Sequence, residues 1–309
     1  MSGVLKKASD GSDKPRLIDK LNIIEGTPVE LAVLEVKRSG IRCKHLATQL
    51  PVTYRKVRYE AEGEIITVMP SKVWQFKNTV YLAGETISSR IDATALNLTP
   101  LKLSEMDVFE PDEEDLISED DPFTKYYLPI LAYGSRKEFE MEQVLPFEDP
   151  DDVDSDPILL VVDAKESGDI GTACQILHET LAEDLRCIDA HAHLGNLEFE
   201  VNESTFAYRK TAKRHYEVGI KIAELSFSSD FHDLLPWCYV NNRPYLRCLH
   251  GYGLCLYREG NLEEAKTVFE KILWLNPEDN QGVRVLLASI DAGKRWCDLE
   301  KPEEDEFYR

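Results

Sequence analysis

Long apolar runs are missing from this sequence: nowhere in its 309 residues does an uncharged apolar stretch approach the ~18 residues of a membrane span. No transmembrane segment is expected. The N-terminal "MSGVLKKASDGSDKPRL" has lysines but no apolar stretch behind them, so no secretory signal is read. The seven cysteines, at 43, 174, 187, 238, 248, 255 and 297, never fall in a C-x-x-C spacing. An odd number set within apolar patterns points to reduced, buried thiols in a cytoplasmic chain, not to a disulfide framework. Phosphate-cradling loops are absent too. "GYG" at 251–253 lacks a preceding strand and a third glycine, and "AGKRW" is no P-loop, so no cofactor is expected. Positive charge is scarce, with 36 Lys and Arg against 57 Asp and Glu and a net charge of -21. Such a chain repels phosphate backbones, so no nucleic-acid partner is expected.

What is present falls into zones. At 309 residues the chain is long enough for about two domains. Residues 1–26 are polar and expected to be flexible. "EGTPVELAVLEVKRSG" predicts a helix with Thr27 as cap, Pro28 at its first position, Glu30 closing a capping box and Gly40 just past its end. The period then changes to two, with breaks at Glu62-Gly63, Pro70-Ser71 and Lys77-Asn78, which predicts a small antiparallel meander. Trp74, Phe76, Val80 and Leu82 at strand spacing are expected on its buried face. Residues 27–104 thus read as one domain. Lys37, Arg38, Arg42 and Lys44 form a basic cluster, read as a solvated surface expected to meet the acidic segment of the same chain. Residues 105–156 carry 3 basic and 19 acidic side chains, and 105–153 is expected to be a partly ordered acidic linker. "DPDDVDSDP" lacks the glycine and terminal glutamate of an EF-hand loop.

The most informative stretch is "LRCLHGYGLCLYREGNLEEAKTVFEKILWLNPED", residues 246–279, in which two helical patterns flank a turn at Glu259-Gly260-Asn261. It resembles the tetratricopeptide repeat (TPR) family, a helix-turn-helix unit of about 34 residues. Gly253, Ala265, Phe269 and Pro277 stand at the family's small, alanine, aromatic and proline positions, while Leu249 and Leu256 replace its tryptophan and tyrosine. The same register extends upstream to 188–226, with Gly195, Ala212 and Tyr216 and a five-residue insertion near "NESTF". It reaches further to 154–187, with Ala173 and Leu177. Three repeats, an insertion at 227–245, a capping helix at 280–293 and an acidic tail at 297–309 follow from this reading. Stacking is required, because one such hairpin cannot bury its apolar face alone. The fold class is therefore α+β: a small β-rich N-terminal domain with a flanking helix, then an all-α TPR-like domain.

"RCIDAHAHLGN", residues 186–196, invites another reading, since Asp189, His191 and His193 at alternate positions begin many metal-dependent hydrolases. Alternate residues share a face on a strand but point apart on a helix. Only 120 residues follow Asp189, too few for the (β/α)8 barrel that such a motif would open. In register with Gly253 the stretch becomes a first helix, with His191 in the tryptophan position. Cys187 and His191, one turn apart, make an incomplete zinc pair. No metal site is expected, and a metal-dependent hydrolase centred on Asp189, His191 and His193 is the alternative to a scaffold.

The TPR resemblance implies a concave face lined by first-helix positions, used to hold a protein or peptide partner. On this chain the candidate residues are Asn196, Phe199, Arg247, His250, Tyr257 and Arg258, with an acidic or C-terminal carboxylate partner in view. The apolar insertion "FSSDFHDLLPWCYVNNRPY" is expected to pack back on the repeats. A homo-oligomer is also compatible with this reading. In their order, "KVWQFKNTVYLAGE", "DAHAHLGN" and "LWLNPEDNQGVR" resemble a group of bacterial cytoplasmic proteins joining a β-rich region to degenerate repeats. That resemblance implies an architecture and no activity. A non-catalytic interaction scaffold is the function expected.

Overall fold

The computed structural model describes residues 16–37, 39–56, 60–112, 121–149, 151–201 and 206–299. Val29–Lys37 forms strand β1, where the sequence pattern suggested a helix over 27–40. Leu31 and Val33 face one core, whereas Ala32 packs with Ile65 against the helices of the C-terminal half. Both faces are buried, so "LAV" shows none of the polar gaps of a half-buried strand and imitates a helix. Gly40 does not terminate a helix but opens strand β2 (Gly40–His45), where a Cβ would lie 2.8 Å from the Tyr54 carbonyl oxygen.

Strands β3 (Pro51–Tyr54), β4 (Ile65–Phe76) and β5 (Thr79–Arg90) complete a closed barrel in the order β1-β2-β3-β5-β4. Every pairing is antiparallel except β3 with β5. With β4 lying beside β1, this is a Greek key closed on itself, not the simple meander expected. Strand β4 also runs through Pro70, an expected break. The proline sits at a bulge opposite Gly84, where the absent Cβ leaves room for the Met69 carbonyl. A two-residue turn at Lys77-Asn78 sets Trp74 opposite Tyr81 and Val73 opposite Leu82. Val80 and Leu82 therefore point into the barrel, while Trp74 and Phe76 face outward, correcting the expectation that all four share the buried face. Helix α1 (Leu17–Leu21), within the segment expected to be flexible, packs Leu21 into this core, and Gln75 accepts a hydrogen bond from the Ile18 amide. Residues 1–15 lie outside the described residues. Of the basic cluster, Lys37 and Arg42 pair with Glu35 of β1, and Arg42 donates to the Ala182 carbonyl; Arg38 lies outside the described residues.

The supposed linker is folded over most of its described length. Strands β6 (Leu103–Phe109) and β7 (Arg136–Met141) pair antiparallel around helix α2 (Thr124–Tyr133). Residues 113–120, which hold much of the first acidic run, lie outside the described residues. Glu105 and Asp107 are exposed, whereas Tyr127, Ile130 and Met141 enter the helical core; the acidity marks one face of the unit. Arg136 fastens it. Only 3 % exposed, its guanidinium lies 4.1 Å from the Trp274 ring centre and near the rings of Phe109 and Tyr133. It donates to the carbonyls of Trp274 and His232, and burial pulls its pKa down to about 10. Arg136→Ala is expected to lower the unfolding free energy by roughly 2–4 kcal/mol, through the cavity and the stranded carbonyls. Arg136→Met should cost less than about 1.5 kcal/mol, because an apolar side chain of similar length fills the aromatic cage. Urea titration of both variants checks this ordering.

From residue 157 the chain is helical: α3 (Pro157–Glu166), α4 (Ile170–Glu183), α5 (Ile188–Val201), α6 (Phe206–Glu224), α7 (Arg243–Glu259), α8 (Leu262–Leu275) and α9 (Val283–Asp291). Asp156 caps α3 through the amides of Ile158 and Leu159, ahead of Pro157. Gly260, at φ 84°, makes the turn between α7 and α8. The insertion between α6 and α7 packs inward. Leu234 and Leu235 are buried, and Leu234 exchanges backbone hydrogen bonds with Phe139 and Lys137 of β7. A short helix α10 (Trp296–Leu299) occupies the start of the expected tail; residues 300–309 and the "NEST" stretch 202–205 lie outside the described residues. No described helix is long and apolar enough to cross a membrane.

Candidate partner-binding face

Glycine and one tyrosine bring the helices together. The Tyr216 ring of α6 lies against Gly195 of α5 and Gly251 of α7, and a Cβ on either glycine would collide with it. Gly253 meets Phe269 of α8 in the same way. These contacts set the spacing of α5 and α7, whose side chains hold the expected partner residues.

The structure divides those six residues. Phe199, Tyr257 and Arg258 converge on Trp296 of α10: Phe199 and Tyr257 meet its ring edge-on at 6.0 and 5.9 Å, and the Arg258 guanidinium lies 5.3 Å from Phe199 and 5.7 Å from Trp296. Tyr257 is buried and donates to the Lys294 carbonyl, so it serves packing and not an open face. Arg247 stands apart, bound to Asp189 at 3.1 Å and set 5.7 Å from the Trp237 ring of the insertion. Asp189 is 5 % exposed. Its ion pair makes Arg247 a structural cation first. Asn196 accepts a 2.7 Å hydrogen bond from the Tyr216 hydroxyl. His250 packs against Phe269, and burial lowers its pKa to about 4, so it is neutral near pH 7. Phe199 and Arg258 are partly buried, as are Asn196, Arg247 and His250, and Arg258 is held by aromatic rings without a hydrogen bond to the core.

The hydrolase alternative required Asp189, His191 and His193 on one strand, and residues 188–201 are helix. Asp189 and His193, one turn apart, face each other at 3.7 Å. His191 points elsewhere, fully buried, its Nε2 3.2 Å from the Leu185 carbonyl. The three side chains do not converge. Among the described residues no group of three or more His, Cys, Asp or Glu is arranged to hold a metal. The buried thiols of Cys187 and Cys255 are pushed up to about 12 by desolvation, which leaves them protonated and unreactive near neutrality.

A buried polar junction, with no counterpart in the sequence reading, ties the barrel to the helices. The turn before β4 carries Glu60, Glu62 and Glu64, at most 9 % exposed, and Gly63 between them abuts Val218 of α6. Glu62 binds His178 of α4 at 2.8 Å and accepts from the Val36 amide, while Glu64 pairs with Arg214 at 3.3 Å. Desolvation raises the Glu62 pKa, but the charge and hydrogen bond of His178 and the Val36 amide outweigh it and bring it to about 2. His191 and His215 lie behind the pair with ring centres 5.9 Å apart, and burial lowers them to about 4 and about 3. Glu198, desolvated beside Glu62, is raised to about 8. The only signal in the sequence was "EAEGE", glutamates alternating with small residues where a turn was expected.

No protein-family model, curated protein or solved structure matches the chain. The functional reading rests on the residues themselves.

Proposed function

We propose that the chain is a non-catalytic interaction scaffold of the cytoplasm, whose helix pairs act as TPR-like repeats and present the α5/α7 face to an acidic or carboxylate-ended peptide. The observation that carries this reading is the placement of Arg258 between Phe199 and Trp296. A partly buried guanidinium held by aromatic rings is pre-organised to take a carboxylate with little further ordering. The reading is also supported by a close-packed helix stack in which Gly195, Gly251 and Gly253 meet Tyr216 and Phe269. Seven free cysteines, four of them buried, suit a reducing compartment.

Charge reversal at both Arg247 and Arg258 is a blunt probe, because a glutamate at 247 would face buried Asp189 and disturb the fold. Arg258→Gln combined with Phe199→Ala leaves that ion pair in place. Quantitative affinity capture with this double variant is expected to lose at least about tenfold of any partner retained by the wild-type chain, since such anchors contribute ~1–3 kcal/mol each. Undiminished capture by a folded double variant removes the assignment of this face.

A further inference from the structure

The net charge of -21 hides an uneven distribution. Residues 16–104 carry 13 basic and 9 acidic side chains, and three of those acids, Glu60, Glu62 and Glu64, are buried at the helical junction. Without Arg38 and Arg58, which lie outside the described residues, 11 cations remain against six acids not buried at the junction, so the described N-terminal unit presents a cationic exterior on an acidic chain. Its β4-β5 hairpin carries Lys72, Lys77 and Arg90 against the single acid Glu85.

The register that sends Val73, Val80 and Leu82 inward places Lys72, Trp74, Phe76 and Tyr81 together on the outer face. Trp74 and Tyr81 stack across the strands at 5.5 Å with an interplanar angle of 14°. The Lys72 ammonium lies 5.6 Å from the Trp74 ring and that of Lys77 5.6 Å from the Phe76 ring. Arg55, which follows β3, is exposed on the neighbouring strand with its side chain near Gly40 of β2. Glu25, which accepts from the Val73 amide, and Glu85 mark the margin. A cross-strand aromatic pair is accounted for by hairpin stability alone. Phe76 is not: it is 61 % exposed beside a lysine, where burial gives it nothing.

We propose that this face binds single-stranded nucleic acid without sequence preference, the bases lying on the aromatic rings and the phosphates against Lys72, Lys77 and Arg55. Any base offers a flat face to such rings, and the cations follow the backbone. Alternate residues on β4 are about 6.6 Å apart, so ring and charge are repeated along an extended strand. An acidic peptide would use the cations but draw little from aligned rings. At physiological ionic strength charges beyond about 8 Å are largely screened, so the acidic remainder of the chain does not cancel the local attraction.

The test is fluorescence anisotropy of the full chain with labelled 12-mers of deoxythymidine and uridine, between 50 and 200 mM salt. Saturable binding of both is expected, weakened about 5- to 100-fold by Phe76→Ala, an exposed position whose replacement leaves the core intact. The pair Lys72→Glu and Lys77→Glu is expected to weaken binding and to flatten the slope of log K against log salt by about 1.4, corresponding to two phosphates released. Absence of binding overturns the proposal, as does binding indifferent to both sets of substitutions. Equal displacement by polyglutamate also overturns it and assigns the face to an acidic peptide. None of these outcomes bears on the α5/α7 face.

Discussion

Replacing Tyr216 with alanine is expected to lower the unfolding free energy by about 3–5 kcal/mol, among the largest effects of any single substitution in the chain. The ring is 1 % exposed and touches Gly195 and Gly251 on two different helices, so its removal opens a cavity shared by α5, α6 and α7. Neither glycine carries a side chain to fill it. Tyr216→Phe keeps the ring and loses only the hydroxyl bond to Asn196, which is worth about 0.5–1.5 kcal/mol. Urea midpoints at unchanged m-value distinguish these costs from a change in the unfolded chain. A loss below about 1 kcal/mol for Tyr216→Ala would show that the three helices do not depend on this contact.

Acid should destabilise the protein steeply. His191 and His215 have folded pKa values of about 4 and about 3, below the ordinary 6.5, so the folded state holds them neutral while the unfolded chain takes up protons as pH falls below 6.5. Their contribution is complete above pH 6.5 and is lost towards pH 3. Glu62, depressed to about 2, contributes stability above its ordinary 4.5 that disappears as pH falls through 2. Each shift corresponds to roughly 3 kcal/mol or more at its limit. Glu198 opposes them: raised to about 8, it favours the fold below pH 4.5 and loses that contribution as pH climbs to 8. Between pH 4.5 and 6.5 the terms partly cancel. Below 4.5 they do not, and several kcal/mol should be lost by pH 3.5. His215→Leu replaces a buried imidazole whose Nδ1 has no hydrogen-bond partner, and should flatten the acid limb. Glu198→Gln should raise stability at pH 7 and steepen the dependence between 4.5 and 6.5. Superimposable pH profiles for wild type and His215→Leu would contradict this account of the junction.

Helix positions were legible wherever a turn residue and a 3.6-residue period agreed, as at Gly260 between α7 and α8. Strand β1 was not, because burial on both faces erased its alternation. The orientation of Trp74 depended on a register set by the Lys77-Asn78 turn, which spacing along one strand does not reveal. On the α5/α7 side, the repeat register placed Phe199 and Arg258 on the same expected face, and the two lie 5.3 Å apart. It did not reveal that α10 would supply Trp296 or that Tyr257 would be covered, since both depend on how the chain returns after α9. The Glu62-His178 pair joins residues 116 apart on different elements and leaves no periodic trace. Acidic composition misled over 105–153 because Arg136 and the apolar side of α2 decide the folding of that unit.

The central claim is that a partner is held on the α5/α7 face. Hydrogen exchange of the full chain, alone and saturated with a partner recovered by capture, tests it most directly. The account predicts slowed exchange confined to 189–200 and 247–258, with a change at α10 as Trp296 adjusts. Protection on the β4-β5 hairpin or the β6 edge alone, with those two segments unchanged, would contradict it.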